Sequence, residues 1–443
     1  MNPLAEELNK ILDQTVAERL LSDTGKRMYF PKGLLTQCAE ADERAHRFNA
    51  TIGMAYEGGE IMILDAIRES MPGLPPYEAV SYAPTLGVSE LRKAWKRELE
   101  RKNPSLRGLV LSPPVVVPGL TAAISYVSDL FLDPADLVVL PDLNWPNYRL
   151  IFEERRQASC LTFPIFASPE KGGGFNVQGL EASLREAAAR SLTAKGAAKA
   201  ACVLNFPNNP TGYTPTESEA REIAAALTRI ADEGTDLLVI CDDAYFGLGY
   251  EDGLYPESIF TLLAGAHERI LAVKADGPTK EDFVWGFRLG FLTFGSAGLG
   301  NAQHEALVKK LGGVIRSSVS NSTRPGQQLL LKAMDYPGYE EQKAKYREIL
   351  HARYRRVRSF LKARPLPAGL RPLPFNSGYF MSFACEGFSA EALRVRLLET
   401  RGIGTVSLQD KYLRVAYSSV ETEDLDELLA EIVEAAADLS AST

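Results

Sequence analysis

A mainly parallel α/β sheet covered on both faces, with a smaller α+β lobe beside it, is the architecture this sequence predicts. Three observations carry that expectation. Between about residues 110 and 295, short and continuously apolar runs alternate with helical patterns, as strands buried on both faces do. Helical spacing then dominates and ends in a long, charged stretch, Tyr339–Ala363. After it, short strands interleave with helices in an α+β pattern. At 443 residues the chain exceeds the usual single-domain range. We therefore expect an N-terminal segment over 1–65 that joins the smaller lobe, a large domain over 66–330 and a small C-terminal domain over 331–443.

The predicted strands of the large domain are Val115–Val117, Leu137–Leu140, Ala201–Leu204, Leu237–Cys241, Ile270–Val273 and Leu289–Phe294. Ligands of such sheets gather beyond the carboxyl ends of the strands. A helix is expected over Ala302–Gly313, and Tyr339–Ala363 carries apolar residues at helical spacing, suited to link the two lobes. The small lobe reads as strands Tyr379–Ala384 and Tyr412–Ala416 with helices Ala390–Thr400 and Glu421–Ala437. Gly172-Gly173-Gly174 reads as a surface loop and the alanine-rich Ala187–Ala201 as a helix end.

Composition narrows the function classes. Hydrophobic residues at 45% and charged residues at 24% suit a soluble globular chain. The net charge of -8 comes without a basic block, which argues against a nucleic-acid partner. Five dispersed cysteines with no CxxC spacing suit reduced thiols. The acidic N-terminus lacks the apolar core of a signal peptide, and no apolar run is long enough to span a bilayer. The expected location is cytoplasmic, with no membrane partner. Four scattered histidines argue against a metal site and against a histidine base.

Three segments carry chemistry. Lys280 is followed six and eight residues later by Gly286 and Arg288; upstream stand Asn209-Pro210-Thr211-Gly212 and Asp242-Asp243-Ala244-Tyr245. A lysine whose amine can condense with an aldehyde and an arginine fork suited to a phosphate are what a pyridoxal phosphate enzyme requires at a strand junction. Each segment alone has a plainer explanation, a solvated lysine or a turn after a strand. Their order and intervals together resemble the class I aminotransferases of fold type I, over the chain from about residue 45 to its end, and most closely the aspartate and aromatic amino acid branch.

That resemblance implies an aspartate aminotransferase-like fold with a seven-stranded sheet, pyridoxal 5'-phosphate as cofactor, and a homodimer with shared active sites. It implies transfer of an amino group between an amino acid, aspartate or an aromatic one, and a 2-oxo acid such as 2-oxoglutarate. Lys280 would be the catalytic lysine, with Arg288 beside it favouring its neutral form. Asp242 would face the cofactor's ring nitrogen, and Tyr245 and Asn209 its phenolic oxygen. Arg288, Gly119, Leu120, Thr121 and Thr279 would hold the phosphate, with Tyr82 reaching it from the neighbouring subunit. Trp145 would stack on the ring. Arg414 would clamp the substrate α-carboxylate, with Arg316 crossing the interface to a distal carboxylate, and Asn209, Trp145 and Ala55 would complete the substrate site.

The chain departs from the family pattern at three places. Gly277-Pro278-Thr279 stands where serines are usual, leaving Thr279 as the one hydroxyl. Leu120 replaces a small residue. Tyr148, three residues beyond Trp145, takes the place of a histidine that braces the ring-nitrogen carboxylate, a task a tyrosine hydroxyl is able to perform. The segment Ile52–Tyr56 matches the family's substrate-covering loop loosely. Other reactions of the scaffold remain open at this point: β-elimination, aminocyclopropane-carboxylate synthesis and aspartate β-decarboxylation. An aminotransferase-like transcription regulator would need a helix-turn-helix module, for which there is little room before residue 45.

Overall fold

The computed structural model describes residues 43–51, 55–70, 73–168 and 173–441, together with positions 1, 3, 6, 10, 37, 40 and 41. Seven strands form the large sheet: β1 (Val115–Val117), β2 (Leu137–Pro141), β3 (Ser159–Phe163), β4 (Lys199–Asn205), β5 (Asp236–Asp242), β6 (Ile270–Asp276) and β7 (Gly290–Gly295). They lie in the order β1-β7-β6-β5-β4-β2-β3. All neighbours are parallel except β7, which runs antiparallel to β1 and β6. The principal helices are α1 (Ser89–Lys102), α2 (Leu120–Phe131), α3 (Val177–Lys195), α4 (Glu217–Asp232), α5 (Pro278–Glu281), α6 (Asn301–Ser318), α7 (Arg324–Met334), α8 (Tyr339–Ala363), α9 (Ala390–Arg401) and α10 (Leu425–Ser440).

The unbroken apolar character of the strands follows from their burial on both faces. Along β2, Leu137 and Val139 join the apolar cluster under α3 and α4, while Val138 and Leu140 join the one under α2 and α6. A second, antiparallel sheet, β8 (Leu370–Pro372), β9 (Phe380–Cys385), β10 (Val406–Leu408) and β11 (Tyr412–Ala416), has the order β8-β9-β11-β10. It shares one apolar cluster with α8, α9 and α10. Phe48–Asn49 pairs in parallel with Ile403–Gly404 beside this lobe. Most of the 1–65 segment lies outside the described residues. Among the described residues no helix is long and apolar enough to cross a membrane.

Three local expectations are corrected. Strand β3 has no counterpart among the predicted apolar runs: it is an edge strand, and four of its five residues keep some contact with solvent, so its polar residues hide its period. The strand expected over Ile270–Val273 runs on to Asp276, so Lys274 lies inside β6. Helix α10 starts at Leu425 rather than Glu421, because residues 421–424 form a separate turn in which the Asp424 N–H donates to the Glu421 carbonyl at 3.1 Å.

The antiparallel strand decides where the site forms. Gly290, first in β7, stands opposite Val117, last in β1. Arg288 therefore meets the turn Gly119-Leu120, at the same sheet end as the last residues of β4 and β5, Asn205 and Asp242.

Candidate active site

Asn205 and Asp242 are register partners, and the Asn205 side chain joins two motifs. Its Nδ2 donates to the Asp242 carbonyl at 2.9 Å, and its Oδ1 accepts from the Asn209 N–H at 2.8 Å. The turn Asn209–Gly212 is thereby fixed to the end of β5. Sequence reading missed Asn205; the available signal was a polar residue closing an otherwise apolar strand.

Asp242 is buried. One carboxylate oxygen accepts from the Tyr148 hydroxyl and the other from the Ala244 N–H at 3.2 Å. Tyr148 thus takes the bracing position expected of it. Burial lifts the Asp242 carboxyl above the usual carboxylate range, and the Tyr148 hydrogen bond and the Lys280 charge oppose that lift. Burial, together with the Asp242 charge, holds the Tyr148 phenol protonated well past its ordinary range, so it remains a donor. Its neighbour Asp243 pairs instead with Lys274 and Ser258, away from this cavity.

Lys280 lies on α5, between β6 and β7. Its Nζ stands 4.8 Å from the centroid of the Tyr245 ring. Burial is the largest influence on this amine: it pushes the pKa down to about 8, with Asp242 opposing the drop and Arg288 adding to it in the expected direction. Burial raises the Tyr245 phenol, which stays a donor.

The start of α2 and the Arg288 guanidinium come together behind Gly119. Helix α2 begins at Leu120 behind Gly119, with no side-chain cap, so its first N–H groups are left for a ligand. A Cβ on Gly119 would lie 2.7 Å from Arg288 Nη2, and its φ of +88 favours glycine as well. Arg288 has φ 51 and donates to the Trp285 carbonyl at 3.3 Å. Leu120 is accommodated because Gly277 and Gly290 leave it room: a Cβ at either would come within 3.0–3.2 Å of Leu120 Cδ1. Thr279 Oγ1 donates to the Leu289 carbonyl at 3.3 Å.

Leu120, Thr121, Trp145, Asn205, Asn209, Asp242, Ala244, Tyr245, Thr279, Lys280 and Arg288 line one cavity of about 200 Å³. Trp145 meets Tyr148 edge-on at 5.5 Å. Arg414 lies beside the cavity, its Nη1 donating to Asn209 Oδ1 at 3.2 Å and its Nη2 to the Thr51 carbonyl at 2.9 Å. Ala55 is buried in the apolar cluster that contains Tyr245. Tyr82 and Arg316 are not brought into the cavity of their own chain: Tyr82 is 88% exposed, and exposed Arg316 bonds Ser320. Residues 52–54 of the expected covering loop lie outside the described residues.

The sequence profile described as aminotransferase class I and II matches residues 60–432. The chain belongs to the class I and II aminotransferases. It is 26% identical over 348 residues to the aspartate/prephenate aminotransferase of Thermus thermophilus, covering 77% of this chain and 79% of that protein. It is 26% identical over 359 residues to a probable N-acetyl-LL-diaminopimelate aminotransferase of Bacillus subtilis, covering 79% and 80%. The fold of the crystal structure of an aminotransferase from Anaerococcus prevotii superposes with a TM-score of 0.79 at 23% identity, over 92% of this chain and 98% of that one. This aminotransferase has the aspartate aminotransferase-like fold and uses pyridoxal 5'-phosphate. Its cavity fits that cofactor: the lining combines a buried, braced carboxylate, an uncapped helix start beside an arginine, and a lysine.

Proposed function

We propose that this pyridoxal phosphate-dependent aminotransferase takes its amino group from an acidic or aromatic amino acid and passes it to a 2-oxo acid such as 2-oxoglutarate. The observation that carries the reading is the convergence of Lys280, Asp242 and Arg288 on one cavity with Arg414 at its side. When bound, pyridoxal phosphate supplies the electron sink that makes a substrate Cα–H acidic. Arg288 and the first N–H groups of α2 would hold its phosphate, Asp242 its ring nitrogen, Tyr245 and Asn209 its phenolic oxygen, and Trp145 its ring face. Asp242 carries the negative charge that keeps a ring N–H proton in place. Arg414 holds the substrate α-carboxylate in a planar fork, which sets the direction of the Cα–H bond. Lys280 Nζ, once released, is the base that takes the Cα proton.

The name of the Thermus thermophilus relative supports an acidic donor. Homodimerisation with a shared site is supported by the exposed apolar patch of Tyr77, Val80 and Tyr82, on the surface that carries the expected cross-subunit residue. We place the enzyme in the cytoplasm on its dispersed cysteines, which suit reduced thiols. Borohydride reduction of the holoenzyme followed by peptide mapping tests the assignment; the label is expected on Lys280, and a label elsewhere overturns it. A stopped-flow screen of amino acids against the holoenzyme then names the donor. Conversion of the cofactor to its pyridoxamine form by donor alone, without acceptor, is expected, whereas release of pyruvate and ammonia would make the enzyme a lyase.

A further inference from the structure

Residues 280 and 281 belong to one short helix but serve two cavities. Lys280 lines the cofactor cavity, while Glu281 lines a separate one of about 600 Å³ behind it. Successive side chains of a helical turn diverge by about 100°, so Glu281 grips the turn from its far side. Two lysines hold the Glu281 carboxylate: Lys102, from the end of α1, at 2.6 Å, and Lys343, from the first turns of α8, at 3.3 Å. Lys343 also bonds Asp282 at 2.9 Å, and Tyr339 donates its hydroxyl to Asp282. On the other side, the Tyr379 hydroxyl donates to the carbonyl of Lys280 itself at 2.9 Å. Glu281 also presses on the loop that follows Tyr245: a Cβ on Gly247 would lie 3.1 Å from its Oε1.

Side-chain exposures of 16% for Glu281 and 9% for Lys343 place these charges in a largely dry environment. There, ion pairs repay little more than their own desolvation, and an apolar replacement often stabilises as well. What such a network supplies is geometry. A base that leaves its covalent partner and must return to one place needs a backbone that does not drift, since an error of about 1 Å can cost about a hundredfold in rate.

We propose that Glu281 and Lys343 are positioning residues for Lys280: with no contact to the cofactor cavity, they lock the backbone turn from which the catalytic amine extends. Lys343 does so from the helix that also anchors the small lobe, through Arg353, whose guanidinium bonds the Ser418 carbonyl and the Glu421 carboxylate. The inference rests on Lys280 being the acting lysine, as proposed above.

The test uses holoenzyme of the wild type and of Glu281→Gln, Lys343→Met and Lys343→Arg, with Arg356→Gln as control. Arg356 forms an equally close pair with Asp426 farther along α8, so its loss weakens helix anchoring alone. We expect E281Q and K343M each to lower kcat by about ten- to a hundredfold, measured at a temperature where both stay folded, with KM and cofactor content near the wild-type values and a lower melting temperature, since each leaves a buried charge without its partner. The loss should appear equally in the rate of deuterium exchange at the substrate Cα, K343R should recover most of it, and R356Q should match the wild type. Should one variant not fold, the other decides. Wild-type kcat in a folded E281Q or K343M, or a loss that follows the folded fraction alone, overturns the inference while the functional reading stands. A borohydride label on a peptide without Lys280 overturns both.

Discussion

At Lys280 the surroundings change the chemistry of an ordinary side chain. A free lysine titrates near ~10.4, whereas burial brings this amine to about 8. With Lys280 as the acting lysine proposed above, its neutral amine is the nucleophile toward the cofactor aldehyde, and loading is expected to speed up as the proton leaves. Reconstitution of apoenzyme with pyridoxal phosphate, followed by stopped-flow absorbance, is expected to accelerate with rising pH and to level off above about 8. An amine still titrating near ~10.4 would give no plateau there. Tyr148 acts on Asp242 in a comparable way. Its hydrogen bond lowers the carboxyl against the lift from burial, so Tyr148→Phe raises the carboxyl further and moves the acid limb of the kcat/KM profile to higher pH. A hydrogen bond to a charged group contributes about 1.5–3 kcal/mol, and kcat/KM at neutral pH should fall by about tenfold or more. A profile that stays in place would show that the phenol only packs.

At the scale of elements, β5 and β6 carry a buried charge group beneath the site. Lys274, with no exposed side-chain surface, pairs with Asp243 and with Asp276 at 3.4 Å, and the Trp95 N–H donates to Asp276 at 3.2 Å. Removing one partner of a buried pair costs about 3–5 kcal/mol because the other charge stays behind. Lys274→Met should therefore lower the urea midpoint of holoenzyme by a corresponding amount, and K274M/D243N should recover part of it. Six of the seven large-sheet strands were legible because burial on both faces leaves an apolar run. Strand β3 was not, since an edge strand with exposed residues carries no such mark. Helix α8 was legible residue for residue, because its apolar spacing holds to the end and Arg364 leaves it in extended backbone. Helix α2 starts where Gly119, with φ +88, turns the chain.

At the scale of the molecule, two expected site residues, Tyr82 and Arg316, face outward from their own chain. If sites are shared across a two-fold axis, each belongs to the partner's cavity. Lys280→Ala and Tyr82→Ala protomers would each form homodimers of low activity. A mixed dimer of the two contains one intact site, so refolding them together should restore about a quarter of wild-type activity in a statistical mixture. Mixtures that stay at the level of the parents would show that Tyr82 serves its own chain or none.

The sequence by itself determined which chemistry is possible: a lysine, an aspartate and an arginine in fixed order, on runs whose periodicity makes strands. Such information is local, because side-chain type and hydrophobic period act over a few residues. Tertiary structure alone decided which groups meet. It set Asn205 against Asp242, drew Lys102 and Lys343 to Glu281 from 179 and 62 positions away in the chain, and buried Lys280 enough to move its proton. Those outcomes depend on strand order and on exclusion of water, and both exist only once the sheet and the helices that cover it have packed together.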